Sequence, residues 1–185
     1  MDISITIQEC LAGNRLAQRR LYERFLPYAL TVTRRFGVAE RYRADVVQDV
    51  FSEVFTKLVA FDPNKAPFSS WFRTISVRKT VDFLRRREKL RLTELVAILP
   101  EKEPTSPIAF DDIDNDSLFR ALAALPPGFR AVFNLYAVDG YKHREIGQLL
   151  GISTSASRSQ YARARKQLRR HLDQTKKKLV AHESR

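Results

Sequence analysis

A single cysteine, Cys10, rules out an intramolecular disulfide and any multi-cysteine zinc site in this chain of 185 residues. Glycine is scarce too, with six residues and none gathered into a phosphate-cradling loop. The three histidines, His143, His171 and His182, stand without metal-ligand spacing, so no metal and no cofactor are expected. No apolar run approaches the roughly 20 residues of a membrane-spanning helix. The start, Met1-Asp2-Ile3-Ser4-Ile5, lacks the basic residues and apolar stretch of a secretory signal, so a cytoplasmic protein without membrane insertion is expected. Acids are the minority charge, 21 against 33 Lys and Arg, for a formal +12. Hydrophobic residues make up 44%, enough for real cores, which excludes general disorder. A basic, folded chain points first to nucleic acid, because contacts to phosphates release condensed counterions.

The charge is unevenly spread. Between Glu88 and Ser117 eight acids face three bases, and Pro100, Pro104 and Pro107 fall in the same stretch. On either side the sign reverses. Arg73 to Arg87 holds six bases against Asp82, and Arg158 to Lys178 holds nine against Asp173. A proline-bearing acidic stretch between two basic, patterned segments reads as a linker, with a solvated loop inside one domain as the alternative. Leu92, Leu95, Val96, Ile98 and Leu99 are too apolar for a pure spacer.

Everywhere else the periodicity is helical, with no convincing strand and no internal repeat. Leu21, Phe25, Tyr28, Val32 and Phe36 form one stripe, and Gly37 suits a helix end. A second helix runs from about Tyr42 to Phe61 on Val46, Val50, Val54 and Leu58. A third carries Trp71, Phe72, Ile75, Val81 and Leu84, with Ser69 or Ser70 as its cap. After the linker come Leu118, Leu122 and Leu125, a break at Pro126-Pro127-Gly128, then Phe129, Val132, Phe133 and Tyr136. A turn at Asp139-Gly140, a short helix ending at Gly151, and a long stripe on Tyr161, Ala164, Leu168 and Leu172 complete the chain.

The last two helices carry the sharpest motif. A helix-turn-helix needs glycine in its tight turn and a small residue where the second helix crosses the first. Arg144-Glu145-Ile146-Gly147-Gln148-Leu149-Leu150-Gly151-Ile152 supplies both in Gly151 and Gly147, and Ser153 or Thr154 can cap the second helix. That helix displays Arg158, Arg163, Arg165, Lys166, Arg169 and Arg170 around an inward stripe. Early residues of such a helix enter the major groove and later arginines reach phosphates. A basic solvated helix in a structural bundle is the plainer alternative.

Here the chain resembles the bacterial sigma factors of the sigma-70 superfamily, extracytoplasmic-function (ECF) class. Leu125-Pro126, Gly140-Tyr141, Glu145-Ile146-Gly147, Leu150-Gly151-Ile152 and Arg163-Ala164-Arg165-Lys166-Gln167-Leu168 follow the pattern of that family's C-terminal domain. The resemblance implies binding to the upstream (−35) promoter element through Arg144, Thr154, Ser155, Ser157, Arg158, Gln160, Arg163 and Arg165, with Tyr161 packing inward. Gly147 replaces the usual alanine, Ser157 stands where valine often packs, and Gln160 where arginine is common.

The N-terminal half is similar to the same family. Asp45-Val46-Val47-Gln48-Asp49-Val50-Phe51 resembles its acidic, apolar helix, which implies docking on core RNA polymerase through Asp45, Gln48, Asp49 and Ser52. An acidic strip on a basic protein suits a basic protein surface. Phe61-Asp62-Pro63, Phe68-Ser69-Ser70-Trp71-Phe72 and Asp82-Phe83-Leu84-Arg85-Arg86-Arg87 follow in family order. They imply recognition and melting of the downstream (−10) element through Asp62, Asn64, Lys65, Phe68, Trp71, Arg73, Arg78, Lys79, Arg85 and Arg86. Aromatics stack on unpaired bases and arginines hold the strand. Arg78 departs from the family's asparagine, which both donates and accepts whereas arginine only donates.

The expectation is an all-α chain of two small helical domains. Residues 1–90 form a region 2-like domain, 91–114 an acidic linker, 115–175 a region 4-like helix-turn-helix domain and 176–185 a basic tail. Its role is that of a sigma factor directing core RNA polymerase to promoters, with no catalytic residues. Expected partners are core polymerase, promoter DNA and an anti-sigma factor of the often membrane-bound kind. The acidic linker is expected near polymerase's nucleic-acid channel. A stand-alone operator-binding regulator is the alternative. Asp45, Asp49 and Glu53 align at helical steps, the spacing of a metal-dependent nuclease, yet have no histidine or basic catalytic partner beside them.

Overall fold

A computed structural model describes residues 2–87 and 115–183. The acidic segment, with its apolar Leu92 to Leu99, lies outside the described residues. The chain divides into two compact units, Met1–Arg34 with Val38–Leu84, and Arg35–Gly37 with Arg85–Arg185. Every regular element among the described residues is helical.

The first unit opens with α1 (Ile3–Leu11), which the sequence reading missed. Asp2 caps it, its carboxylate accepting from the Ser4 N–H at 2.9 Å. Thr6, Ile7 and Cys10 face inward at three- and four-residue steps. Burial pushes the Cys10 thiol pKa up, with Glu9 adding and Arg20 opposing, which suppresses the reactive thiolate. Next, α2 (Arg15–Phe36) runs 22 residues through Pro27, and Gly37 ends it at φ +83°. The third helix, α3 (Glu40–Lys57), tightens into a 3-10 turn at Leu58–Ala60. The fourth, α4 (Phe68–Arg87), begins one residue ahead of the expected serine caps.

The core of this unit joins Leu21 and Ala29 of α2, Val47, Val50, Phe51 and Val54 of α3, and Phe68, Phe72 and Ile75 of α4. Aromatic rings dominate it. Phe72 packs against Phe25 at 4.8 Å and Phe51 at 5.4 Å between centroids. The buried hydroxyls of Ser76 and Thr80 are satisfied within α4 by the carbonyls of Phe72 and Ser76, at 2.9 and 2.8 Å.

In the second unit α5 (Asn115–Ala123) leads to α6 (Pro127–Phe133), which starts with proline at its first position, where no N–H is needed. The Arg130 guanidinium donates to the carbonyls of Ala123 and Leu125, both at 2.8 Å, and so closes the end of α5. A π turn at Asn134–Val138 follows, then α7 (His143–Leu150) and α8 (Thr154–Glu183). The last helix has 30 residues, a length of about 45 Å. It runs on through most of the segment expected to be a tail. Leu122, Leu125, Phe129, Phe133, Ala164, Leu168 and Leu172 form the core, with Tyr161 at its edge.

Candidate functional site

Three surfaces carry the candidate residues. The first is α3. Asp45, Gln48, Asp49 and Ser52 lie at helical steps and all four are exposed, while Val46, Val47, Val50, Phe51 and Val54 turn inward. Beside this strip runs a groove of about 510 Å³ between α2 and α3. Tyr22, Leu26 and Leu30 form its α2 wall, and Gln48 and Ser52 belong to its α3 side. Tyr22 and Leu30 are exposed large apolar residues. Sequence reasoning missed this wall, although Tyr22, Leu26 and Leu30 recur at four-residue steps beside the core stripe. A second apolar stripe on one helix signals a second partner.

Glu53 lies on α3 just past this strip. It accepts from Lys57 at 2.6 Å and also pairs with Lys79 of α4. Its hydrogen bonds from Lys57 and Lys79 hold the carboxyl below the ordinary value of 4.5, against partial burial, which pushes the other way. The folded pKa is below the unfolded one, so this stabilisation is present above the unfolded pKa and is lost as pH falls through the folded value. Thermal melts from about pH 7 to pH 3 should show a shallower acid loss for Glu53→Gln than for wild type. Equal slopes would remove the link. Lys79, expected on DNA, is held here by Glu53. Among the described residues no group of three or more His, Cys, Asp or Glu could hold a metal ion.

The second surface spans residues 61–67 and the exposed side of α4. The Asp62 carboxylate accepts from the Asn64 N–H at 3.0 Å and makes a tight local turn. Lys65 reaches Asp62 at 3.6 Å, and Asn64 and Lys65 are exposed. Phe61 and Trp71 are half-buried and meet at 5.4 Å. Phe68, expected among the melting residues, is 4% exposed. It sits beneath those two rings, 5.4 Å from Phe61 and 5.5 Å from Trp71, and belongs to the core. Arg73, Arg78, Arg85 and Arg86 are exposed. Five residues of helix rotate by about 140°, so Arg73 and Arg78 point in different directions. Arg78, Arg85 and Arg86 share a stripe, and Arg73 lies nearer Ser69 and Ser70.

The third surface is the helix-turn-helix. Gly151 ends α7 in the left-handed region at φ +70°. Ser153 caps α8, its Oγ accepting from the Ala156 N–H at 3.0 Å. Glu145 accepts from the Lys142 N–H at 2.7 Å and fixes the start of α7. Arg144, Ser155 and Arg158 are exposed, and Thr154, Arg163 and Arg165 are half-exposed. Ser157 and Gln160, expected near bases, are 0% and 3% exposed. They fall on the inward stripe that continues through Tyr161, Ala164 and Leu168, which corrects their assignment to DNA. Ser159 takes the outward position instead, half-exposed beside Arg158 and Arg163. The Arg165 guanidinium lies 5.8 Å from the Tyr161 ring centroid.

Comparison with known proteins places both units. Residues 21–90 match the family profile Sigma-70 region 2, and residues 115–168 match Sigma-70, region 4. The ECF RNA polymerase sigma factor SigE of Mycolicibacterium smegmatis is 33% identical over 132 residues, covering 69% of this chain and 51% of SigE. The chain thus spans about half the length of that relative. RNA polymerase sigma factor CarQ of Myxococcus xanthus is 30% identical over 128 residues, covering 68% of this chain and 71% of CarQ. Among solved structures, that of CnrH in complex with the cytosolic domain of CnrY aligns with a TM-score of 0.51 at 29% identity. The alignment covers 91% of this chain and 96% of that one, and CnrH is an RNA polymerase sigma factor of Cupriavidus metallidurans.

Proposed function

The chain belongs to the sigma-70 family of RNA polymerase sigma factors, in the extracytoplasmic-function class, and from that premise we propose how its two units share the work of starting transcription. The carrying observation is a contrast of surfaces. The first unit sets the acids of α3 beside an apolar groove, whereas the second turns the arginines of α8 outward. The acidic strip and groove are suited to a basic, partly apolar protein surface, here core polymerase. The basic helix is suited to duplex phosphates, with Thr154, Ser155, Arg158 and Ser159 nearest the base edges.

Between these tasks lies strand opening, which needs no catalyst. It needs a site that binds an unstacked base better than a paired one. Phe61 and Trp71 above the Asp62 turn supply ring surface for such a base. Arg73 serves one stretch of strand, and Arg78, Arg85 and Arg86 another. In this reading the chain has no catalytic residue of its own and works in the cytoplasm. Its two grips hold weakly alone and productively once polymerase fixes their spacing. CnrH was solved with the cytosolic domain of CnrY. By that likeness an anti-sigma factor, of the often membrane-bound kind, would compete with polymerase for the α2–α3 groove.

The test is transcription in vitro with purified core polymerase over a pool of promoters. Two variants separate the units. Asp49→Arg should lower polymerase association at least tenfold, by placing a like charge against a basic surface, and leave isolated upstream-duplex binding unchanged. Arg165→Ala should do the reverse and reduce the salt slope of duplex binding by about one. Equal damage to both activities by each change would contradict the division of labour.

A further inference from the structure

We propose that His143 is a positioning residue for duplex recognition, setting the rotation of α8 through the buried hydroxyl of Ser157. The proposal rests on the reading that α8 binds DNA, and adds a residue that touches no DNA. Ser157 is the fourth residue of α8 and is fully buried. Its Oγ lies 2.9 Å from Nδ1 of His143, the first residue of α7. The bond therefore joins the two helices of the motif across their turn. The His143 ring is held in turn by Tyr136 of the π turn, stacked at 4.2 Å between centroids with planes 11° apart. Tyr161, one turn further along α8, packs against both rings at 4.5 and 5.8 Å.

Apolar packing between these helices is non-directional and tolerates small rotations, whereas a buried hydrogen bond has one good geometry. Ser155 and Arg158 are neighbours one turn apart on the outward face of α8, turned away from the buried Ser157. A rotation of α8 by about 20° would carry an atom at the helix surface, about 5–6 Å from the axis, through about 2 Å. That is enough to lose a bidentate contact to a base edge, yet phosphate contacts by long arginines would survive it. His143 should thus govern selectivity between sequences and leave general duplex affinity alone. The imidazole need not change charge for this. Nδ1 can accept from the hydroxyl or, when protonated, donate to it.

The experiment uses the full chain and two probes, a 30-base-pair duplex selected by the wild type from a randomised pool and a scrambled duplex of the same composition. His143→Phe keeps the stack on Tyr136 and loses the polar atom. Ser157→Ala removes the other partner. His143→Asn keeps a polar atom near the place of Nδ1. The Phe and Ala variants should bind the selected duplex about tenfold more weakly, in the range of a lost base contact, with scrambled-duplex affinity within about twofold. The Asn variant should regain most of the loss. A DNA-free check is the 15N resonance of His143 Nδ1, which should move in Ser157→Ala. The proposal is overturned if the Phe and Ala variants keep wild-type selectivity. It is equally overturned if both affinities fall together and Asn is no better than Phe, the pattern of mere misfolding. If the wild type itself selects no duplex, the DNA-binding reading fails and takes the recognition role with it, while the resonance still reports whether the bond exists.

Discussion

Phe72→Ala is expected to cost the first unit about 3–5 kcal/mol, the usual penalty for emptying a buried aromatic site. The ring is 1% exposed and meets Phe25 and Tyr28 of α2, Phe51 of α3 and Phe68 of its own helix. Four neighbouring rings thus pack against it. Small domains hold together by only about 5–15 kcal/mol in all, so the loss is a large fraction of the stability of this unit. The consequence should be selective. Polymerase association and promoter opening fail together, because the α3 strip and the Phe61–Trp71 site share that core. Upstream-duplex binding persists, because the core of the second unit is built from α5, α6 and α8. Circular dichroism should show an early transition followed by an unaltered later one. Loss of duplex binding in parallel would show that the units do not fold separately.

Gly147→Val is the mirror case. A Cβ built on Gly147 would lie 2.7 Å from the carbonyl oxygen of Ile152 and 3.7 Å from the backbone of Ser153 and Thr154. The obstacle is backbone, which cannot swing aside as a side-chain tip can. The same turn is closed by the Ile152 N–H donating to the Gly147 carbonyl at 3.0 Å. A branched side chain there must push α7 and α8 apart, at about 1–3 kcal/mol for an overpacked contact. The functional loss should exceed the stability loss, since the displaced element is the one that enters the groove. At least a tenfold weaker upstream-duplex affinity is expected, corresponding to about 1.4 kcal/mol, with polymerase association intact. Unchanged duplex binding would mean that the turn yields without moving α8.

These two positions also show what could be read before the fold was known. Phe72 and Gly147 were legible because each serves a short-range rule, a helical stripe in one case and a tight crossing in the other. Gln160 was misplaced because the family commonly has an arginine at its position, and Ser157 because its polar hydroxyl outweighed the valine that often packs there. Their angular position, on the stripe of Tyr161, Ala164 and Leu168, would have turned them inward. Phe68 failed for a different reason. It begins α4, whose buried face shifts from Phe68, Phe72 and Ile75 to Val77, Thr80, Val81 and Leu84 along its length, so no single stripe describes it. Lys79 could not be assigned from sequence, because its partner Glu53 lies on another helix. The short α1 hid behind the exposed Ile5 and Leu11, which blur a stripe of only nine residues. The α2 wall of the groove was visible in principle but lay next to a stripe that already explained the helix.

The burial of the sole thiol has a practical side. Cys10 is 5% exposed, and its reactive anion is disfavoured. A cysteine introduced at an outward position such as Val59, 78% exposed, would therefore accept a maleimide dye with little competing background. Fluorophores could be attached one per molecule, without first engineering away a native cysteine, to follow the arrival of this subunit on polymerase in real time.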